Sequence, residues 1–320
     1  MKKIFFAAIA LVALASCAKE EFVSVNRQAI SFGEAFVDNA TRADYSVAGN
    51  LTEFYVYGTA SGTMQGGGTV NIFDGDEVTG TVGTNVVNGK ETHVWNCTET
   101  QYWIPGANYA FAAVVDATVE APASNNGMPT TLTTIADDAT TGNMYLKDML
   151  YAEATVNGAA VTVDYDTPVN FTFQHLLSKV HFTVTSTAQG DYSHKVTGIK
   201  VYNYAEGTYT INGGTWNVNG DPVVAVTFAD IAGVSSTNGG VSNADMLLVP
   251  TAATYNVTFT VELYKGTTKL GTETKTIPVE KDLVKGNAYN FTIACSVGNP
   301  IQFSVTNDPT WGTQPDVTIQ

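Results

Sequence analysis

The chain has 320 residues, with 15 Lys and Arg against 30 Asp and Glu, for a formal net charge of −15. So acidic a surface repels polyanions, which excludes nucleic acid and an anionic membrane surface as electrostatic partners. Only 14% of residues are charged, and Thr, Val, Asn, Gly and Tyr abound. This composition suits half-buried strands joined by tight turns, so an all-β fold of one large or two medium domains is expected.

The chain opens with Met1-Lys2-Lys3, passes through an apolar run from Ile4 to Ala15, and reaches Cys17 behind Leu14-Ala15-Ser16. A charged start, a short apolar run and small residues before a cysteine read as a bacterial lipoprotein signal. Residues 1–16 would be removed and Cys17 would carry the acyl chains. A run of about 12 residues is too short to span roughly 30 Å of hydrocarbon, so an exported, lipid-anchored protein is expected. Cys97 and Cys295 are the other cysteines. Their wide separation leaves open whether they pair. Asn-x-Thr triplets at Asn39, Asn50, Asn96, Asn170, Asn256 and Asn290 are read as Asn- and Thr-rich β sequence rather than glycosylation sites.

From Cys17 to Arg27 the chain is polar and reads as a tether. Ala29 to Val37 reads as a strand with Ile30, Phe32 and Phe36 on one parity. Asp38 to Asp44 has no hydrophobic pattern and reads as an exposed loop of the kind proteases cut. It contains Arg42, the only arginine after Arg27. Further strands are expected at Phe54–Thr59, His93–Asn96, Tyr109–Asp116 and Ala160–Tyr165, with a turn at Gly66-Gly67-Gly68. An irregular stretch from Ala121 to Gly142 precedes a short helix or turn from Asn143 to Tyr151. Sustained helical periodicity is missing throughout. Val180, Phe182 and Val184 alternate with Lys179, His181 and Thr183, and Val257, Phe259, Val261 and Leu263 alternate with Thr258, Thr260 and Glu262. Both read as antiparallel strands buried on one face. Turn signals at Asn212-Gly213-Gly214, Asn219-Gly220 and Asn238-Gly239-Gly240 complete a sandwich pattern. Two tandem antiparallel sandwiches are expected, 43–167 and 168–320, with the seam near Asp166 to Pro168.

Catalytic chemistry finds no motif. The histidines are His93, His175, His181 and His194, and no Gly-x-Ser-x-Gly, His-Glu-x-x-His or Cys-x-x-Cys pattern occurs. His175 and His181 on one extended strand would lie about 20 Å apart, too far to share a metal. His175 is expected to pack or hydrogen-bond at the seam. Asp74-Gly75-Asp76-Glu77 lacks the remaining ligands of a calcium loop and reads as a solvated turn. No catalytic residue, metal or cofactor is therefore expected. Aromatics such as Tyr102-Trp103 or Trp216 would stack on sugars if exposed, but such residues commonly lie in β cores.

Leu146-Lys147-Asp148-Met149-Leu150-Tyr151 is followed by Val169-Asn170-Phe171-Thr172-Phe173-Gln174-His175-Leu176-Leu177-Ser178-Lys179-Val180. Then come Leu247-Leu248-Val249-Pro250, the run from Leu283 to Thr292, and Trp311-Gly312. In this order the segments resemble the fimbrillin family, subunits of type V pili. The resemblance implies two transthyretin-like β-sandwiches and a lipidated precursor that passes by way of the outer membrane to the cell surface. It also implies cleavage by an arginine-specific protease between Arg42 and Ala43, and release of the strand bearing Ile30, Phe32 and Phe36. Head-to-tail strand exchange with other pilin subunits would follow, producing a fibre that supports adhesion to a host or bacterial surface ligand. The incoming strand must carry alternating apolar residues, and the C-terminal segment with Trp311, Val317 and Ile319 qualifies. Ile301 to Val305 would stay in the parent domain. The alternatives are a tip or anchor subunit of the pilus, or a glycan-binding surface lipoprotein that does not polymerise.

Overall fold

The computed structural model describes residues 28–37, 51–62, 68–87, 90–137, 145–158, 168–241 and 245–308. The first half contributes β1 (Phe32–Val37), β2 (Glu53–Ser61), β3 (Thr69–Val87), β4 (Lys90–Cys97), β5 (Asn108–Val115), β6 (Ala117–Glu120), β7 (Thr131–Thr134), β8 (Ala136–Asp137), β9 (Tyr145–Leu146), β10 (Leu150–Asn157) and β11 (Val169–His175). The second contributes β12 (Ser178–Ser186), β13 (Tyr192–Asn203), β14 (Thr208–Thr210), β15 (Thr215–Asn217), β16 (Val224–Thr227), β17 (Ile231–Val234), β18 (Gly240–Val241), β19 (Met246–Leu248), β20 (Tyr255–Lys265), β21 (Thr268–Val279), β22 (Ala288–Cys295) and β23 (Gln302–Asp308). Ala123–Asn125 forms a single 3-10 turn. The described chain is thus all-β. The helix or turn expected from Asn143 to Tyr151 is instead β9 and the start of β10, because Leu146, Met149 and Leu150 are all drawn into cores. The strand expected at Ala160–Tyr165 lies outside the described residues.

Seven strands in the order β1-β11-β10-β5-β2-β3-β4 form the first sheet. Its inner face buries Phe54, Phe73, Phe111, Phe171 and Phe173 with Val56, Val78 and Trp95. Here the sequence reading needs correction: β11, assigned to the second domain, pairs in this sheet, and Phe171 and Phe173 belong to its core. The crossing between halves therefore falls at Leu176-Leu177, after β11. Central β5 is apolar on both faces toward its end: Ala113 and Val115 point into this core, while Val114 points out into a different one.

The second half is a two-layer sandwich. One sheet runs β18-β12-β22-β23 with β19 beside β12, and the other runs β16-β13-β20-β21 with β17 beside β13. Val180, Phe182 and Val184 face Val257, Phe259 and Val261 across a common core, as their alternation requires. Phe303 and Val305 of β23 complete it. One expectation changes: β12 pairs with β22 in parallel over eight residues, from Lys179↔Ala288 to Ser186↔Cys295. The long stretch of chain between them supplies the crossover that parallel pairing needs.

A four-stranded sheet, β15-β14-β7-β6, takes two strands from each half. Tyr209 of β14 lies opposite Leu132 of β7, and Thr133 Oγ1 lies 3.0 Å from Thr208 Oγ1. Beneath this sheet a third core gathers Val114, Leu132, Leu146, Met149, Leu176, Leu177, Tyr204, Tyr209 and Val249. At the crossing Leu176 N–H donates to Met149 O (3.0 Å) and Gly286 N–H donates to Leu177 O (2.8 Å). Asn203 bonds the backbone of Val249 twice, at 2.9 and 3.2 Å. Truncating Leu177 to Ala is expected to cost about 2–5 kcal/mol, read as a lower midpoint in urea unfolding. Because the core is shared, tryptophan fluorescence and circular dichroism should shift together.

Candidate assembly site

The sequence from Gln28 to Val37 closes the first sheet. Ahead of β1 the chain pairs antiparallel with the segment after β4: Ile30 N–H donates to Gln101 O (2.8 Å), Trp103 N–H donates to Gln28 O (3.0 Å), and Ala29 bridges Tyr102. From Phe32 onward it switches partner and direction, pairing parallel with β11, while Val169 N–H donates to Ser31 O (2.8 Å). One ten-residue segment thus hydrogen-bonds both to its neighbour strand β11 and to the stretch 101–103 that follows β4. Ile30, Phe32 and Ala35 are buried. The Phe32 ring packs on Phe54, Phe73 and Phe171 with centroids 5.9, 5.6 and 5.9 Å away.

The expected alternation of Ile30, Phe32 and Phe36 breaks at one point. Phe32 pairs with Val169 and Ala35 with Phe171, so β1 carries an extra residue between them, a bulge that returns Ala35 to the core face. Gly33 stands there because a Cβ would strike Asn170 Oδ1 and lie 2.8 Å from Pro168 Cγ. The backbone of Phe36 is in β1; its side chain lies outside the described residues. Cys17, Arg42, Ala43, Trp311, Val317 and Ile319 also lie outside them. Ile301 to Val305 sits in the parent sandwich, with Phe303 and Val305 buried and β23 paired to β22.

The titratable residues singled out from sequence are dispersed. His175 is at the seam, with Nδ1 2.9 Å from both carboxylate oxygens of Asp148, and both side chains are almost fully enclosed. His181 Nδ1 lies 3.8 Å from Asp245. His194 packs behind Ser186 (2.8 Å), and burial lowers its pKa. Cys97 and Cys295 are both free thiols, in different cores. Burial raises both, Cys295 to about 11. Asp74-Gly75-Asp76 forms a bulge in β3 in which Asp74 N–H donates to Asp76 Oδ2 (3.0 Å). Among the described residues no three His, Cys, Asp or Glu side chains converge as metal ligands would. Of the aromatics considered for sugar stacking, Trp103 is buried edge-on against Tyr109 (4.7 Å), Trp216 packs on Tyr209 (5.5 Å), and Tyr102 is exposed.

The motifs noted in the sequence meet at the seam: Asp148 and Met149, His175 to Leu177, Val249, and Gly286 each contribute a seam contact. The fimbrillin-like family profile matches residues 41–309. The chain belongs to that family. The family's description, fimbrillin-like, places the protein with the fimbrial proteins of the cell surface. Among solved structures, a fimbrial protein from Bacteroides vulgatus ATCC 8482 is similar at 14% identity and a TM-score of 0.58, over 88% of this chain and 99% of that one. A protein assigned to cell adhesion from Bacteroides uniformis ATCC 8492 is similar at 17% identity and a TM-score of 0.51, over 90% and 98%. At these identities the likeness is one of fold. No curated protein matches the sequence.

The bulge and the aromatic contacts make the seating of β1 testable. Phe32→Ala should cost about 3–5 kcal/mol, measured by chemical denaturation. Gly33→Ala should leave the rest of the fold intact while speeding hydrogen exchange of the Ile30, Trp103 and Val169 amides, whose acceptors lie across the seat of this segment.

Proposed function

We propose that this protein is a structural subunit of a fimbrium, assembled by strand exchange after cleavage between Arg42 and Ala43. The observation carrying this reading is that residues 28–37 lie between β11 and the stretch 101–103, hydrogen-bond to both, and bury Ile30, Phe32 and Ala35. The family match begins at residue 41, beyond β1. Removing the segment bares the aromatic walls of Phe54, Phe73 and Phe171 and frees the backbone of residues 101–103 and 169–173. An incoming strand satisfies both needs at once. Replacing Phe32 alone regains roughly 1.5–3 kcal/mol of burial before entropy is subtracted. The original strand pairs parallel to β11, and an antiparallel replacement forms slightly better hydrogen bonds.

In this reading Cys17 carries the lipid that brings the precursor through the outer membrane to the surface, and cleavage at Arg42 frees the subunit from it. The donor is the C-terminal segment, with Trp311, Val317 and Ile319 supplying the apolar side chains and β23 anchoring it in its parent sandwich. A head-to-tail contact of this kind does not close on itself and gives a fibre.

The test uses the soluble chain lacking residues 1–17, treated with an arginine-specific protease while the new N-terminus and the particle size are followed. Cleavage after Arg42 should yield detergent-resistant multimers that vanish when residues 311–320 are deleted. Clean cleavage with persistent monomers would sink the strand-exchange reading and indicate a tip or accessory subunit. Resistance at Arg42 would indicate an anchor or a lipoprotein that does not polymerise.

A further inference from the structure

The outer face of the sheet formed by β12, β22 and β23 is unusual for so acidic a chain. Successive cross-strand rows read His181–Asn290–Thr306, Thr183–Thr292–Ser304 and Thr185–Ala294–Gln302. Hydroxyls and amides pave it, and its last two rows carry no ionisable group. Beyond the last row lies a cleft of about 530 Å³, whose polar lining comes from Thr185, Thr187, Ser296, Asn299 and Gln302, with Cys295 in its wall. The seam is at the other end of β12, roughly 26 Å away along the strand.

The walls of the cleft are tied together before any ligand arrives. Thr187 N–H donates to Cys295 O (3.1 Å), and Thr187 Oγ1 donates to Ser296 Oγ (3.0 Å). Asn299 Nδ2 donates to the same oxygen (3.0 Å). Ser186 Oγ accepts the Ala188 N–H (3.0 Å) and bonds His194 behind the wall. Such pre-organisation lowers the entropic cost of binding. Burial keeps the Cys295 thiol protonated at neutral pH. With no charged side chain in its lining, the cleft has no counter-charge for a phosphate, a carboxylate or a metal ion and favours a neutral ligand. Its hydroxyl and amide groups match ligand hydroxyls, and Ala294, Pro300 and the threonine methyls match C–H faces.

We propose that this cleft is a saccharide-binding site that selects neutral sugars. No aromatic ring lines it, so a single site binds weakly. On the fibre reading above, the site would repeat along a polymer, and many weak contacts to one surface would combine into stable attachment. The site itself does not depend on that reading, since its lining residues all lie at the end of the second sandwich away from the seam.

Saturation-transfer NMR on the unprocessed monomer lacking residues 1–17 separates the two questions, since no polymer is involved. The probes are free glucose, galactose, mannose, fucose, N-acetylglucosamine and lactose, with glucuronic acid and N-acetylneuraminic acid as charged comparators. Transfer to at least one neutral sugar is expected, weakened about five- to tenfold in Gln302→Ala and in Asn299→Ala, the effect of one lost hydrogen bond. Tyr55→Ala, an exposed aromatic on β2 of the other half, should leave it unchanged. Both cleft side chains project toward solvent, and matching melting curves confirm that the variants fold. Absence of transfer to every neutral sugar, a preference for the acidic sugars, or full transfer in both cleft variants overturns the proposal.

Discussion

The structure leans on the burial of Leu176 and Leu177. Two residues are all that separate β11, an inner strand of the first sheet, from β12, the strand on which the second sandwich is built. So short a crossing cannot act as a linker, and its apolar side chains must be enclosed by both halves at once. Met149 closes it from one side and Val249 from the other, while Gly286 approaches so near that a Cβ would sit 3.3 Å from His175 O. The buried His175–Asp148 pair and the Asn203 bonds to Val249 satisfy the polar groups this enclosure would otherwise strand.

Much of the fold could be read from alternation. β12 and β20 were visible because one face is apolar and the other is not, and the Asn212-Gly213-Gly214 turn falls between β14 and β15, with Gly213 and Gly214 both at positive φ. The crossing point was misplaced for a physical reason. Pro168 and the irregular chain before it look like a boundary, but Val169 to Phe173 alternate as any core strand does, and nothing local says which core they enter. The parallel pairing of β12 with β22 was equally hidden, since pairing direction depends on partners about a hundred residues away. The need for glycine at this bulge could not be inferred from β1 alone, because the groups that crowd Gly33, Pro168 and Asn170, lie far along the chain. The cleft escaped notice because Thr, Ser, Asn and Gln are spread so evenly through the chain that no run of them stands out.

Two kinds of β contact coexist here with opposite characters. The seam sheet joins its halves through short strands backed by a core on one face, and its residues come from widely separated parts of the chain, so it forms only when both halves are present. The segment 28–37 is contiguous, lies near one end of the chain, and changes partner and direction midway. That difference in topology separates a joint built from both halves from a contact made by one local segment.

The shared sheet has a mechanical meaning. When two globular units are joined by a single strand of chain, a pull along their axis is carried by that strand alone and the units separate like beads. Here a load applied across the crossing also reaches the β7–β14 hydrogen bonds and the Lys285–Tyr209 contact, so covalent chain and sheet stretch in parallel. The two halves therefore resist extension together, as a single stiff body.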